Sequence, residues 1–99
     1  AAQNVALLAH ELWTNATKHG ALAAPGGRVL LSWRVDGDRF ELSWREAGGG
    51  PAAAPTRSGF GRQLIEVSVP RSLGGSARAT FGEDGYAYTL SAPLAALTG

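Results

Sequence analysis

The chain has 99 residues, 44% hydrophobic and 17% charged, which fits one packed domain and excludes a disordered segment. Nine basic against eight acidic side chains give a net charge of +1, too balanced to mark a nucleic-acid or membrane-surface binder. The absence of cysteine excludes disulfide scaffolds, thiolate metal sites and cysteine nucleophiles. No apolar run approaches the roughly 20 residues that cross a bilayer, and no leader pattern opens the chain, so a soluble, cytoplasmic domain is expected. The opening Ala1-Ala2-Gln3-Asn4 runs into a helical pattern without a cap, as in a segment of a longer protein.

Residues 5–19 carry the first helical pattern. Val5, Leu8, Ala9, Leu12 and Ala16 gather on one apolar arc, and Gly20 stands where a left-handed cap would end the helix. After Pro25-Gly26-Gly27, strict alternation begins. Val29, Leu31, Trp33 and Val35 point one way, Leu30, Ser32 and Arg34 the other. Asp36-Gly37-Asp38-Arg39 is a turn, after which Phe40, Leu42 and Trp44 continue the apolar face. Pairing Val35 with Phe40 sets Trp33 opposite Leu42 and Arg34 opposite Glu41, an ion pair on the wet face.

Residues 47–55 are too rich in glycine, alanine and proline to hold a helix or strand and predict a mobile loop. Beyond it, Phe60, Leu64, Ile65 and Ser68 predict a second helix ending near Leu73-Gly74-Gly75, with Pro70 breaking or kinking it. Strands over about 77–81 and 86–91 join through Gly82-Glu83-Asp84-Gly85. Helix, hairpin, helix, hairpin implies an α+β, two-layer α/β sandwich, with helices on one face of a mixed, mainly antiparallel sheet.

Three features stand out from this frame. Glu11, Asn15 and Lys18 fall within an arc of about 60° on the first helix. They form either a solvated face with a Glu-Lys pair, or a carboxylate, an amide oxygen and an ammonium suited to magnesium and a phosphate. Glu46 lies by alternation on the face of Phe40, Leu42 and Trp44. There it is either a frayed strand end or a carboxylate acceptor in an apolar pocket. Gly59-Phe60-Gly61 precedes the second helix, as a plain joint or as backbone donors facing an anion.

In combination these segments resemble a known family. His10-Glu11-Leu12-Trp13-Thr14-Asn15-Ala16-Thr17-Lys18-His19-Gly20-Ala21-Leu22 is similar to the N box of the GHKL (Bergerat-fold) ATPases. The nearest likeness is to sensor histidine kinases of the HWE subfamily, through His10 and the Trp44-Arg45-Glu46 motif followed by Ala47-Gly48-Gly49. Gly59-Phe60-Gly61 with Leu64-Ile65-Glu66 resembles the second glycine box, and Leu73-Gly74-Gly75 the small motif after it.

The resemblance implies an ATP-binding catalytic domain over residues 1–99, with the Bergerat fold. It would transfer the ATP γ-phosphoryl group to a histidine on a separate dimerisation domain, and thence to a response-regulator aspartate. Asn15 would bind magnesium and Glu11 a metal-bound or attacking water, both as catalytic residues. Lys18 and His19 would approach the phosphates, and Glu46 would accept from the adenine amine where most relatives have aspartate. Gly48 and Gly49 would let the backbone approach the base. Residues 47–58 would form the ATP lid, and Gly59, Phe60 and Gly61 would meet the phosphates. His10 lies about 100° from the Glu11 stripe and receives no catalytic task. The implied ligands are ATP or ADP and Mg2+, with no nucleic acid and no direct membrane contact. Glu46 would favour ATP over GTP, and Glu46→Gln should erode that preference more than stability. The alternatives are a non-catalytic adaptor of the same shape and a protein-serine kinase of the anti-sigma-factor type.

Overall fold

The first apolar stripe folds as helix α1, Ala2–Lys18, with Leu8, Leu12 and Ala16 buried along it. Ala9, expected on the same arc, is exposed. The structure is a computed structural model and describes residues 2–18, 20–50, 63–83 and 85–98. Lys18 in the last turn of α1 complements the negative end of the helix dipole. A short 3-10 turn, Ala21–Ala23, follows.

The alternating segments form strands β1 (Arg28–Asp36) and β2 (Arg39–Ala47), then β3 (Ser76–Phe81) and β4 (Tyr86–Pro93). They make one four-stranded sheet in the order β1-β2-β4-β3. The expected mixed sheet is not seen among the described residues: every strand pair is antiparallel, because each hairpin folds back on itself and the two hairpins meet through β2 and β4. The first hairpin has the predicted register, with Val35 opposite Phe40 and Trp33 opposite Leu42. Arg34 and Glu41 form the predicted ion pair at 3.2 Å.

The core lies between the helices and one face of the sheet. Trp44, Tyr88, Leu90 and Ala92 from the central strands meet Leu8 and Leu12 of α1, Ile65 and Val69 of the second helix, and Leu73 just after it. The apolar face predicted for β1 departs from this. Leu31, Trp33 and Val35 are 49%, 66% and 54% exposed. Alternation assigns them to the helix side, but β1 is an edge strand whose helical neighbour is the short 3-10 turn, while the second helix packs on β3 and β4.

The second helix, α2, is a π turn over Leu64–Ser68 continuing as an α segment over Val69–Ser72. Pro70 does not break the helix but lies buried within it, and the expected distortion takes the form of the π turn before it. The reason is visible in the hydrogen bonds. The Val69 N–H donates to the Leu64 carbonyl five residues back, and this wider winding relieves the clash between a proline ring and the preceding turn. In the same pattern residue 70 would donate to the Ile65 carbonyl, but proline has no N–H. The Tyr88 hydroxyl donates to that carbonyl instead. The helix then closes through Gly74 N to Arg71 O at 3.1 Å and Gly75 N to Pro70 O at 2.9 Å, a Schellman ending. A last helix, α3, spans Ala95–Thr98. Among the described residues no helix is long and apolar enough to cross a membrane.

Candidate functional site

Strand β2 stays paired to Ala47, so Glu46 is no frayed end: it is 4% exposed, the one charged residue in the described core. It is not an unpartnered acceptor either. Trp44 and Glu46 stand two apart on one strand and so share a face. The Trp44 indole Nε1–H donates to Glu46 Oε2 at 3.0 Å. From the far side, the Ala21 backbone N–H donates to Glu46 Oε1 at 2.9 Å. The carboxylate therefore ties the segment after α1 to the end of β2. Each carboxylate oxygen can accept twice, and among the described residues each receives one donor.

The glycines around this carboxylate follow from its position. Gly20 does not take the predicted left-handed cap; its backbone is extended, at φ −112° and ψ −155°. It is glycine because a Cβ there would lie 2.2 Å from Glu46 Oε1. Gly48 and Gly49 were expected to admit a base; what the structure shows is close approach to protein backbone. A Cβ on Gly48 would stand 2.5 Å from the Gly26 oxygen, and one on Gly49 would stand 2.6 Å from Ala21 Cα. The segment after α1, the end of β2 and its following glycines are thus packed backbone against backbone around Glu46.

The predicted stripe is carried by α1. Glu11 and Asn15 are half-buried and Lys18 is exposed. The Glu-Lys pair does not form: among the described residues no ion pair or hydrogen bond joins Glu11 to Lys18. Nor, among the described residues, does any bond join the stripe to Glu46, whose partners there are Ala21 and Trp44. His19, Gly59, Phe60, Gly61 and residues 51–58 of the expected lid lie outside the described residues.

The donor set suits a nucleotide and its metal. Among the described residues no three His, Cys, Asp or Glu side chains cluster as a metal cage. Magnesium does not require one, since it keeps several waters and takes one or two protein oxygens beside substrate phosphates. Glu11 and Asn15, one turn apart and without a side-chain hydrogen bond or ion pair among the described residues, offer two such oxygens. Sequence reasoning missed Trp44 and the Ala21 amide as partners of Glu46. The indole was legible, being a donor two residues away on the same face; the amide was not. A separate concavity of about 830 Å³ lies on the helix-free face of the sheet, lined by Ser32, Arg34, Ser43, Arg78 and Thr89. It is across the sheet from Glu46.

No protein-family model matches the chain. Among solved structures the chain resembles the histidine kinase domain of the Erythrobacter litoralis EL346 blue-light activated histidine kinase. The TM-score is 0.75 with 22% identity, over 93% of this chain and 44% of that one. The fold is therefore that of a histidine kinase domain. In sequence, the chain is 34% identical over 98 residues to a blue-light-activated histidine kinase of Rhizobium johnstonii, covering 97% of this chain and 28% of the relative. It is 38% identical over 91 residues to one from Brucella anthropi, covering 88% of this chain and 18% of the relative. A third, from Erythrobacter litoralis, is 41% identical over 93 residues, covering 89% of this chain and 25% of the relative. The chain is a homologue of the blue-light-activated histidine kinases and spans less than a third of the length of each.

Proposed function

We propose that the chain is the ATP-binding catalytic domain of a cytoplasmic HWE-type histidine kinase, one domain of a longer protein. The observation that carries this reading is the Glu46 carboxylate, held buried at the end of β2 with one donor on each oxygen among the described residues. An adenine amine is a donor and matches a carboxylate acceptor; guanine presents a carbonyl at the same place and leaves two acceptors facing each other. Such an unmet pair costs about 1–3 kcal/mol, which favours ATP over GTP.

Asn15 and Glu11 would hold magnesium and its water, and Lys18 and His19 would meet the phosphates with Gly59, Phe60 and Gly61. Bound magnesium neutralises charge on the phosphoryl oxygens. The protein's share of phosphoryl transfer is positioning and charge neutralisation, not covalent chemistry. The acceptor is a histidine on a separate dimerisation domain, and the phosphoryl group passes from there to a response regulator.

Titration calorimetry with ATP, with and without magnesium, tests the reading. The chain should bind ATP, and Asn15→Ala should weaken binding mainly when magnesium is present. A folded chain that binds neither ATP nor ADP would be an adaptor. Equal losses with and without magnesium would remove Asn15 from the metal site.

A further inference from the structure

The Trp-x-Glu segment places its two named side chains in direct contact, and the contact assigns a task to the tryptophan. We infer that Trp44 is a positioning residue for nucleotide recognition, fixing the Glu46 carboxylate in the orientation from which it accepts the base. The inference rests on the proposed ATP site and deepens it.

The geometry is specific. Trp44 is 6% exposed and Glu46 4%. The indole N–H reaches Oε2 at 3.0 Å and the Ala21 amide reaches Oε1 at 2.9 Å. One donor is carried by the strand itself, the other by the segment after α1, so they hold the carboxylate from two elements. Together they fix the rotation of the carboxylate plane, which a glutamate side chain otherwise leaves broad. The missing Cβ of Gly20 leaves the space that Oε1 occupies. A preset acceptor forfeits less freedom when a ligand donor arrives, which is the general source of affinity from preorganisation.

The indole is also the donor that distinguishes positioning from packing. Trp44→Phe keeps an aromatic ring in the core and deletes the N–H. Released from Oε2, the carboxylate is held at one oxygen only and can turn its acceptor away from the base. Affinity for ATP should fall by about five- to tenfold, within the ordinary net worth of one protein hydrogen bond. Affinity for GTP, which gains nothing from that acceptor, should change by less than about twofold. The readout is therefore the ATP-to-GTP ratio, which a loss of packing alone would not move.

The test combines two measurements on the chain as it stands. First, ATP and GTP affinities are measured for the parent and for Trp44→Phe, with circular dichroism to establish that the variant is folded. Second, exchange of the three indole N–H protons is followed by NMR in the parent. Trp13 and Trp33 are 56% and 66% exposed and should exchange fast, whereas Trp44 should be protected. A protected Trp44 indole with a reduced ATP-to-GTP ratio in Trp44→Phe supports the inference. An unchanged ratio in a parent that prefers ATP overturns it and leaves the kinase reading standing. A Trp44 indole that exchanges as fast as the other two overturns it without reference to any variant. A parent that binds neither nucleotide overturns both readings.

Discussion

Replacing Tyr88 by phenylalanine deletes one hydroxyl and so isolates the bond that Tyr88 makes to the Ile65 carbonyl. Tyr88 is fully buried and Ile65 is 1% exposed, so water does not stand in for the lost donor. An orphaned buried acceptor costs about 1–3 kcal/mol. In a domain of this size each kcal/mol moves the melting midpoint by about 4–8 °C, so Tyr88→Phe should melt roughly 4–24 °C lower. The need for the hydroxyl arises from Pro70, which makes a second substitution informative. Pro70→Ala restores a backbone N–H. If the turn stays π, that N–H reaches Ile65 O; if it relaxes to α, the Val69 N–H does. Either way the carbonyl gains a backbone donor, and Tyr88→Phe should cost about 1 kcal/mol less in the Pro70→Ala background than in the parent. Urea denaturation followed by circular dichroism measures all four proteins of this cycle. Additivity within about 0.3 kcal/mol would refute the account of the widened turn.

Three further outcomes are expected. Burial first, and the Glu66 carboxylate second, push the Tyr88 phenol well above the ordinary tyrosine range. Above the unfolded value of about 10, the native state keeps a proton that the unfolded chain has released. Stability is therefore full below that pH and falls as pH rises, by at most about 1.4 kcal/mol per unit. Urea midpoints between pH 8 and 11 should show the fall, and equal slopes in parent and Tyr88→Phe would remove Tyr88 as its source. Gly20→Ala should destabilise by about 1–3 kcal/mol, because the new methyl collides with the Glu46 carboxylate; an unchanged thermal melt contradicts that contact. Arg34→Ala should cost under about 1 kcal/mol in the same assay. Its ion pair is open to solvent, with side-chain exposures of 69% and 42%, and a larger loss would mean the pair is more than a surface contact.

Glu46→Gln takes on a different meaning from the one its sequence position suggested. Both carboxylate oxygens receive donors, so an amide in either flip turns its NH2 toward the Ala21 amide or the Trp44 indole. Two donors then face each other in a buried place, at about 1–3 kcal/mol. The substitution should lower stability as well as base preference. It belongs in the same denaturation series as Tyr88→Phe.

The first hairpin was legible residue by residue, because strict alternation and a short turn leave one register in which Arg34 meets Glu41. Alternation also placed Glu46 on the helix side, where it is buried. It could not say what covers that side, so Leu31, Trp33 and Val35 were expected inside and stand largely exposed. The fate of Pro70 was illegible for a related reason. The rule against proline in helices is local, and the hydroxyl that satisfies the Ile65 carbonyl comes from another element. Gly20 shows the same limit: its local pattern suggested a cap, and a carboxylate 26 positions later in the chain decides its identity.

The outer edge of β1 sets how this chain behaves when it is concentrated. The strand is nine residues long, and Leu30, Leu31, Trp33 and Val35 expose 49–66% of their surface. Among the described residues its ladder groups are paired on the β2 side only. Two such edges meeting in solution would run the sheets of two molecules into one and cover apolar side chains on both faces at the seam. Encounters become frequent with concentration, so turbidity or light scattering is expected to rise with it. A charged residue in place of Leu30 or Trp33 would raise the solubility ceiling and leave the packed interior intact.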